Sequence, residues 1–358
     1  MKSISRTPAR RLAVGVGCAV LGSAIACAED ARPPVSVAEA ISQEVRHVFE
    51  RCRSAVVKVE AIDTHGPLSG TGFYIDPNGT LLTSYTVGGE TTEIIVSGEL
   101  QKMPARRLVA DPRCGVAILK VDTETPFLTL GKIRDLSVAA PVVTIGYPMD
   151  LPVTPSFGTV AGFDIKFAGR YFATAHIRAN VPVQRGQGGA PLLNFRGEVV
   201  GIMISSLDGG SASFAVPIDA AEKVRKDFVR FGELRPGWLG IAVRTSIPPT
   251  AGSTAQIDEL MAGSPGARAG LEKDDIILEI GDRKIRSTED VLDAAFFTTA
   301  EDELPIKVSR GGKEIVVNTI PTDHPNNTHA PLPTVPRLQA IPTGSPRGLS
   351  TPAPLIDR

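Results

Sequence analysis

Between residues 55 and 206 the chain is a succession of short apolar segments separated by turn residues, and this pattern constrains the fold more than any other feature of the sequence. In chain order the segments read AVVKVEAID, GTGFYID, TLLTSYTV, TEIIVSG, GVAILKV, APVVTIGYP, FGTVAGFDI, APLLNF and EVVGIMIS. The intervening DPNG at residues 76–79 and NFRG at residues 194–197 are typical of hairpin turns. Because no long helical period separates these segments, the sequence predicts a mainly β unit, built as a barrel or a sandwich.

Two amphipathic segments flank this β-rich unit. Apolar residues recur at helical spacing over residues 37–52, and a second helical period covers residues 218–231. We therefore expect a first domain over residues 37–232, with one helix near each of its ends.

A second, smaller unit follows over residues 236–320. It combines the strand-like segments WLGIAV and DDIILEIGD with a helical period over residues 287–297. Two further strand-like segments, LPIKVSR and KEIVVNTI, enclose a turn at Gly311 and Gly312. The mixture of strands and a helix predicts an α+β domain.

Residues 321–358 differ in composition from both units. They contain nine of the 29 prolines and show no apolar period. Such a segment cannot bury enough apolar surface to fold by itself, so we expect a disordered or polyproline-like tail.

The first 28 residues have the organisation of an export signal. Four basic residues precede an apolar run over residues 12–25, which is too short to span a bilayer comfortably, and the small-residue pattern Ala26-Cys27-Ala28 follows. We expect cleavage after Ala28, which gives a periplasmic or secreted chain with no membrane span. Lipid attachment at Cys27 is the less favoured alternative, because Ala24 stands where such signals usually have leucine. The export route stays open.

Charge and composition exclude several classes of partner. The chain has 38 basic and 39 acidic residues, and four of the basic residues lie in the predicted signal. No basic stripe is left to bind nucleic acid. Histidines and cysteines are too scattered for a zinc site, and no phosphate-binding loop occurs, so neither a metal nor another cofactor is indicated.

Two cysteines, Cys52 and Cys114, remain in the predicted mature chain. In an oxidising compartment they could form a disulfide, and they could equally be two buried free thiols. Sequence alone does not place their sulfur atoms within bonding distance, so both alternatives stay open.

Several segments together resemble the HtrA/DegP family of serine proteases. In the first unit they are SGTGFYIDPNGTLLT, VADPRCGVAILKVD, VVTIGYP and GQGGAPLLNFRGEVVGI, and in the second they run from WLGI to SPGARAGLEKDDIILEIGDRKI. The resemblance covers residues 37–320 and preserves the order of the segments. It implies a trypsin-like double β-barrel followed by a PDZ domain. It also implies assembly through the barrels, as a trimer of like chains or a mixed trimer with an active homologue.

The resemblance locates the three catalytic positions of that family, and none of them keeps its side chain. Thr86 stands at the histidine position in LLTSYTV, Gly115 at the aspartate position before VAILK, and Gly188 at the serine position in GQGGAPLLN. A serine nucleophile needs a base to take its proton and a carboxylate to orient that base. Threonine cannot act as a base near neutral pH, and glycine has no functional group. We therefore predict no catalytic residue at these positions.

Three features near these positions are interpreted structurally. The glycines of residues 186–189 could still offer N–H groups to an oxyanion, but a tight turn is the favoured interpretation. His176 is expected to pack or to face solvent rather than to catalyse. Cys114, beside Gly115, has no activating group in view and is expected to be inert.

The second unit keeps what PDZ-type peptide binding requires. A peptide adds as a strand to an exposed sheet edge, and the backbone N–H groups of a loop bind its terminal carboxylate. The WLGI segment matches that loop, and the helix at 287–297 would form the opposite wall of the groove. The predicted binding residues are Trp238, Leu239, Gly240, Ile241, Val291 and Ala295. The alternative is that the apolar members of the loop are only core residues.

These observations favour an exported HtrA-like pseudoprotease that binds peptides or unfolded segments without cleaving them, as a scaffold, a chaperone-like holder or a regulator. An alternative from another class is an active serine endopeptidase in envelope protein quality control, which requires the assignment to have slipped at three separate positions. A third hypothesis is a structural envelope protein whose proline-rich tail contacts the cell wall. The chain ends at Arg358, a poor match to the apolar C-terminus that such grooves favour, so docking of the tail end into its own groove is not expected.

Overall fold

The computed structural model describes residues 36–98, 102–167, 170–206 and 212–325. The predicted signal segment and the chain beyond residue 325 lie outside the described residues. Within these ranges, the residues from Ser42 onward form one compact unit, and residues 36–41 group separately. Within the described ranges, no helix is both long and apolar enough to cross a membrane.

Antiparallel strands in the first half of the chain form a seven-stranded sheet. They are β1 (Val56–Asp63), β2 (Gly66–Tyr74), β3 (Thr80–Ser84), β4 (Thr92–Ser97), β5 (Lys102–Pro104), β6 (Arg106–Asp111) and β7 (Val116–Lys120). Their order in the sheet is β5-β4-β1-β2-β3-β7-β6. Side chains of successive residues in a strand point to opposite faces of the sheet and so enter two different cores. Leu81 packs within this sheet, and Leu82 packs into a core shared with the strands that follow.

The next strands close into a barrel. They are β8 (Pro141–Gly146), β9 (Thr154–Phe167), β10 (Arg170–Ala179), β11 (Pro191–Leu193), β12 (Val199–Ser206) and β13 (Ser213–Pro217). The order around the barrel is β10-β13-β12-β11-β8-β9. Its interior holds Val142, Ile177 and Met203, all without solvent exposure.

Three helices belong to this part of the chain. They are α1 (Val37–Cys52), the single turn α2 (Tyr85–Gly88) and α3 (Ile218–Phe231). Val48 of α1 and Val224 of α3 are buried in the core that the two sheets share. α3 ends at Gly232, whose φ of +76° provides the left-handed residue that terminates many helices.

A third sheet forms the C-terminal domain. Its elements are β14 (Ile241–Thr250), β15 (Ser253–Leu260), α4 (Pro265–Ala269), β16 (Ile276–Ile280), β17 (Arg283–Lys284), α5 (Thr288–Phe296), β18 (Leu304–Arg310) and β19 (Lys313–Thr319). The strand order is β14-β15-β16-β18-β19, with β17 paired to β16, so β14 lies at an edge. Ser287 caps α5 through a capping box with Asp290, which explains why the helix begins there.

The prediction of a mainly β chain is confirmed, and the helices predicted at 37–52 and 218–231 have the bounds that the apolar period gave. One strand-like segment was wrong in its second half. The segment predicted over residues 80–87 leaves the sheet at Ser84, and residues 85–88 form α2. The Tyr85 N–H donates to the carbonyl of Gly115 at 2.7 Å, and the Gly89 N–H closes the helical turn on the Tyr85 carbonyl at 2.7 Å.

The expectation of a tail without regular structure does not hold for its first residues. Thr322 forms an antiparallel bridge with Trp238, and Pro321 is buried. No local pattern indicates this pairing, because the contact joins residues that are far apart in the chain.

The C-terminal domain contacts the barrel through α5. Asp293 accepts hydrogen bonds from two groups of β10, the Thr174 hydroxyl at 2.6 Å and the Ala175 N–H at 2.7 Å. Its other carboxylate oxygen accepts from Arg283 of its own domain at 2.7 Å. At the end of α5, Phe296 is buried in the core that the two N-terminal sheets share, with the Arg113 guanidinium over its ring.

Candidate functional site

The three positions that match the family's catalytic triad lie close together around Ser84. The Ser84 and Thr86 hydroxyl oxygens are 2.9 Å apart. A β-carbon placed on Gly188 would lie 3.5 Å from the same Ser84 oxygen. The third position, Gly115, accepts the hydrogen bond of Tyr85, the residue between Ser84 and Thr86. The fold therefore brings the three predicted positions together around Ser84.

Two hydroxyl groups, those of Ser84 and Thr86, meet among the described residues at this point. Ser84 was not singled out by sequence reasoning, and its place at the end of β3, two residues before Thr86, is the signal that could have drawn attention to it. Its side chain is buried, 1% exposed, and its recorded partner is the Thr86 hydroxyl, which is not a base. A hydroxyl needs an adjacent base to become a nucleophile near neutral pH.

The imidazole of His176 does not supply that base. The residue lies on β10, where its ring stacks on Phe172 with centroids 4.1 Å apart and its Nδ1 lies 2.7 Å from the Thr174 carbonyl oxygen. Burial lowers the pKa of His176 to about 4. The structure thus places His176 as a neutral packing residue, the role that its sequence position favours.

Tight packing explains two glycines of the loop at 186–189. Gly186 has a φ of +92°, and a β-carbon there would lie 2.4 Å from the Tyr147 carbonyl oxygen. Gly189 has a φ of +89°, and its β-carbon would lie 2.1 Å from the Thr71 carbonyl oxygen. These contacts are impossible for a larger residue, which supports the tight-turn interpretation.

Both cysteines are buried free thiols, so the disulfide alternative is not realised. Burial raises the pKa of the Cys52 thiol and raises that of Cys114 well above its ordinary value. The Cys114 sulfur lies 3.8 Å from the Asp111 carbonyl oxygen, inside the shared core. A buried thiol with a raised pKa is unreactive, which agrees with the expectation that Cys114 is inert.

The second candidate site is the loop at residues 238–241, which precedes the edge strand β14. Among the described residues, the Leu239 and Gly240 N–H groups have no hydrogen-bond acceptor. Gly240 has a φ of +69°, and a β-carbon there would lie 2.3 Å from the β-carbon of Ser264, so a glycine is required. The loop therefore presents free backbone donors beside a free strand edge, the two features that capture of a carboxylate-ended peptide needs.

The predicted wall residues divide between groove and core. Leu239 and Val291 are each 8% exposed and belong to the core of the C-terminal domain. Trp238, Ile241 and Ala295 are half-buried and so present part of their surface. The core alternative is therefore correct for part of the set.

No metal site is formed within the described ranges, because they contain no group of three or more histidine, cysteine, aspartate or glutamate side chains placed to hold an ion.

Comparison with known proteins defines the class of this chain. Residues 70–202 match the trypsin-like peptidase domain, and residues 256–308 match the PDZ domain. The chain is 32% identical over 271 residues to a protein of Pseudomonas fluorescens (strain Pf-5) named probable periplasmic serine endoprotease DegP-like, which covers 71% of this chain and 57% of the relative. A protein of Halomonas elongata with the same name is 31% identical over 271 residues, covering 72% of this chain and 57% of the relative.

Solved structures show the same fold. The HtrA-type protease AlgW with tripeptide superposes with a TM-score of 0.66 at 22% identity, over 78% of this chain and 97% of that one. A serine endoprotease from Yersinia pestis gives a TM-score of 0.57 at 23% identity, over 78% of this chain and 98% of that one.

The chain is thus a trypsin-like β-barrel protein with a C-terminal PDZ domain. It belongs to the HtrA family. It spans a little over half the length of the curated relatives it matches.

Proposed function

We propose that this chain is an exported HtrA-family pseudoprotease that binds peptides or unfolded segments through its PDZ domain without cleaving them. The observation that carries the proposal is the composition of the triad positions, Thr86, Gly115 and Gly188, at a site that is otherwise assembled. Removing one nucleophile or base from a triad can lower turnover on the order of a millionfold. With all three changed, what is left is backbone-level stabilisation of an oxyanion.

Free backbone donors in the loop at 238–241 support the binding half of the proposal. The Leu239 and Gly240 N–H groups suit a terminal carboxylate, and the open edge of β14 suits an added peptide strand. AlgW has been solved with a tripeptide and with a decapeptide, which is in keeping with a peptide ligand for this fold.

The setting of the protein forms part of the same proposal. Cleavage after Ala28 would release a chain with the barrel over residues 37–232, the PDZ domain over 236–320 and the tail over 321–358. The relatives' names place them in the periplasm, and we propose that compartment here. Assembly as a trimer, with like chains or with an active homologue, would make the protein a scaffold or regulator.

The competing function is endopeptidase activity, which the names of the relatives favour. It would require a nucleophile and a base other than those at the three triad positions. Ser84 carries a hydroxyl beside these positions, but it is buried, and its hydrogen-bond partner among the described residues is the Thr86 hydroxyl, which is not a base.

Catalysis is tested with the full chain lacking its predicted signal. We expect no cleavage of casein and no labelling by a fluorophosphonate that reacts with activated serines. The Thr86→His/Gly115→Asp/Gly188→Ser variant is the matched control, because gained labelling at Ser introduced at position 188 would show that the positions are correctly assigned. Cleavage by the unaltered chain, with a labelled serine mapped by mass spectrometry, would contradict the proposal.

Peptide binding is tested with two glycine variants of the PDZ domain. Gly240→Ala places a methyl group 2.3 Å from the Ser264 β-carbon, whereas Gly263→Ala, at the same φ of +69°, meets nothing within 4 Å. We expect Gly240→Ala to abolish binding of a peptide library with free carboxylates and Gly263→Ala to preserve it. Binding that survives Gly240→Ala would locate the ligand elsewhere.

A further inference from the structure

A short segment after the last strand of the PDZ domain, Pro321–His324, pairs with the start of the peptide-binding loop. The Trp238 N–H donates to the Thr322 carbonyl oxygen at 2.7 Å, and the Thr322 N–H donates back to the Trp238 carbonyl oxygen at 3.1 Å. The rings of Trp238 and His324 meet edge to face, with centroids 5.5 Å apart. We call this segment the C-terminal strap.

Charged side chains stabilise the position of the strap. Arg235 donates two hydrogen bonds to the Asp323 carboxylate, at 3.0 and 2.6 Å, and a third to Glu301 at 3.0 Å. The Glu301 N–H donates to the Pro321 carbonyl oxygen at 2.8 Å. A bidentate arginine–carboxylate pair fixes orientation as well as distance, so the strap has a defined position relative to residue 235.

The backbone that leads into the loop lies between the strap and the end of α5. The Gly237 N–H donates to the Thr298 carbonyl oxygen at 3.1 Å. A β-carbon on Gly237 would lie 2.8 Å from Pro321 on one side and 2.9 Å from the Thr298 hydroxyl on the other. The strap and the residues that follow α5 therefore both pack against the backbone at Gly237.

The Leu239 and Gly240 N–H groups are the expected donors to a peptide carboxylate. Each belongs to a peptide unit whose carbonyl oxygen already accepts a hydrogen bond. In a planar trans peptide the C=O and the following N–H point in opposite directions, so a hydrogen bond to the carbonyl also orients the N–H. The Leu239 carbonyl shares a peptide unit with the Gly240 N–H and therefore fixes its direction. It accepts a hydrogen bond from the Gly266 N–H at 3.0 Å. The Trp238 carbonyl fixes the direction of the Leu239 N–H in the same way. It accepts a hydrogen bond from the Thr322 N–H of the strap.

We propose that the C-terminal strap is a positioning element for the carboxylate-binding loop, with Thr322 orienting the Leu239 N–H toward the terminal carboxylate of a bound peptide. The inference rests on the proposed peptide-binding function and extends it to residues beyond the predicted PDZ boundary. Orienting the donor before the ligand arrives lowers the ordering that binding requires, and so strengthens binding of the carboxylate in particular.

The test uses the full chain lacking its predicted signal and two substitutions at one position. Thr322→Pro removes the N–H that holds the Trp238 carbonyl, whereas Thr322→Val keeps it. The probes are a fluorescein-labelled peptide that ends in an apolar residue with a free carboxylate and the same peptide as its C-terminal amide. We expect Thr322→Pro to reduce the carboxylate-over-amide preference about tenfold, the equivalent of one backbone hydrogen bond, and Thr322→Val to leave it unchanged.

Two outcomes of the binding measurement overturn the inference. One is an unchanged preference in Thr322→Pro, and the other is an equal loss for both peptides, which a merely structural role would produce. A chain that binds neither probe, or that shows no preference before substitution, contradicts the proposed function instead.

Trp238 gives a readout that needs no ligand, since it is the chain's only tryptophan. We expect faster exchange of the Trp238 amide hydrogen and red-shifted fluorescence in Thr322→Pro, with neither change in Thr322→Val. Unchanged exchange and emission in Thr322→Pro would overturn the inference even if no peptide binds.

Discussion

At the scale of single residues, two neighbouring glycines of the loop at 186–189 differ in whether the fold would accept a side chain. A β-carbon on Gly189 would lie 2.1 Å from a backbone oxygen, in a left-handed conformation. A β-carbon on Gly188 would meet only the Ser84 hydroxyl, at 3.5 Å, which is ordinary contact. The fold therefore requires glycine at position 189 and permits a side chain at position 188.

This difference predicts the effect of two matched substitutions. We expect Gly188→Ala to change the free energy of unfolding by less than about 0.5 kcal/mol, and Gly189→Ala to lower it by more than about 2 kcal/mol. Chemical denaturation of both variants measures the two values. Similar destabilisation by both would contradict the packing described for this loop.

Gly115 adds a second kind of constraint. Space is available there, because a β-carbon would lie 3.7 Å from Ile204, but the φ of +79° disfavours any residue with a side chain. An aspartate at this position would cost about 1–2 kcal/mol from the left-handed conformation alone. Restoring the triad is therefore easier at position 188 than at position 115.

His176 predicts an acid-sensitive contribution to stability. Its pKa is lowered from 6.5 to about 4 by burial, so below pH 6.5 the unfolded chain binds a proton that the folded chain does not. The contribution is complete above pH 6.5 and is lost as the pH falls toward 4, up to about 3 kcal/mol. Unfolding free energies measured across this range should fall less steeply in His176→Phe than in the unaltered chain, and equal slopes for the two would contradict this account.

At the scale of elements, the edge strand β14 limits how much peptide the PDZ domain can hold. Pro248 and Pro249 have no N–H, so a ladder of backbone hydrogen bonds cannot continue beyond Ile247. We expect affinity to rise as a peptide is extended at its N-terminus and then to level off once it reaches Ile247. Calorimetric titration with peptides that differ only in length tests this, and affinity that rises with every added residue would contradict it.

Most elements could be predicted from local patterns, and the failures have physical causes. The amphipathic period of residues 218–231 gave α3 its bounds, because one helix face packs into the shared core. The period-2 pattern of LLTSYTV continues past Ser84, but a backbone hydrogen bond from Tyr85 to Gly115 turns the chain into α2. That contact joins distant residues, and no local pattern records it.

Some parts of the candidate sites could likewise be predicted from local patterns, and others could not. The loop at 238–241 could be located from the sequence, since its glycine and its neighbours form a recognisable segment. The roles of Ser84 and Thr322 could not, because each depends on a partner brought close only by the fold. Core membership of Leu239 and Val291 likewise became visible only through their burial.

At the scale of the whole molecule, the barrel and the PDZ domain are joined through Asp293. Its carboxylate accepts from two groups of β10 and from Arg283, and it is only 18% exposed. Burial of a charged acceptor with several donors is stabilising as long as every donor is present. Asp293 is therefore one charged contact of this joint, beside the burial of Phe296 in the N-terminal core.

Asp293→Ala should weaken the contact between the PDZ domain and the barrel. We expect a loss of about 1–3 kcal/mol from the contact and faster cleavage between the domains in limited proteolysis. Asp282→Ala, which removes an exposed carboxylate of the same domain, is the control and should cleave at the original rate. Equal cleavage rates for the two variants would show that Asp293 does not hold the domains together.

The two buried thiols have a consequence for how the molecule can be observed. Cys52 lies on α1 and Cys114 lies beside Gly115, and both are buried in the core that the two N-terminal sheets share. A thiol reagent can reach them only when that core opens, so the rate of labelling counts opening events. In the chain without its predicted signal, which would lack Cys18 and Cys27, these two thiols thereby report opening of the core in the absence of denaturant.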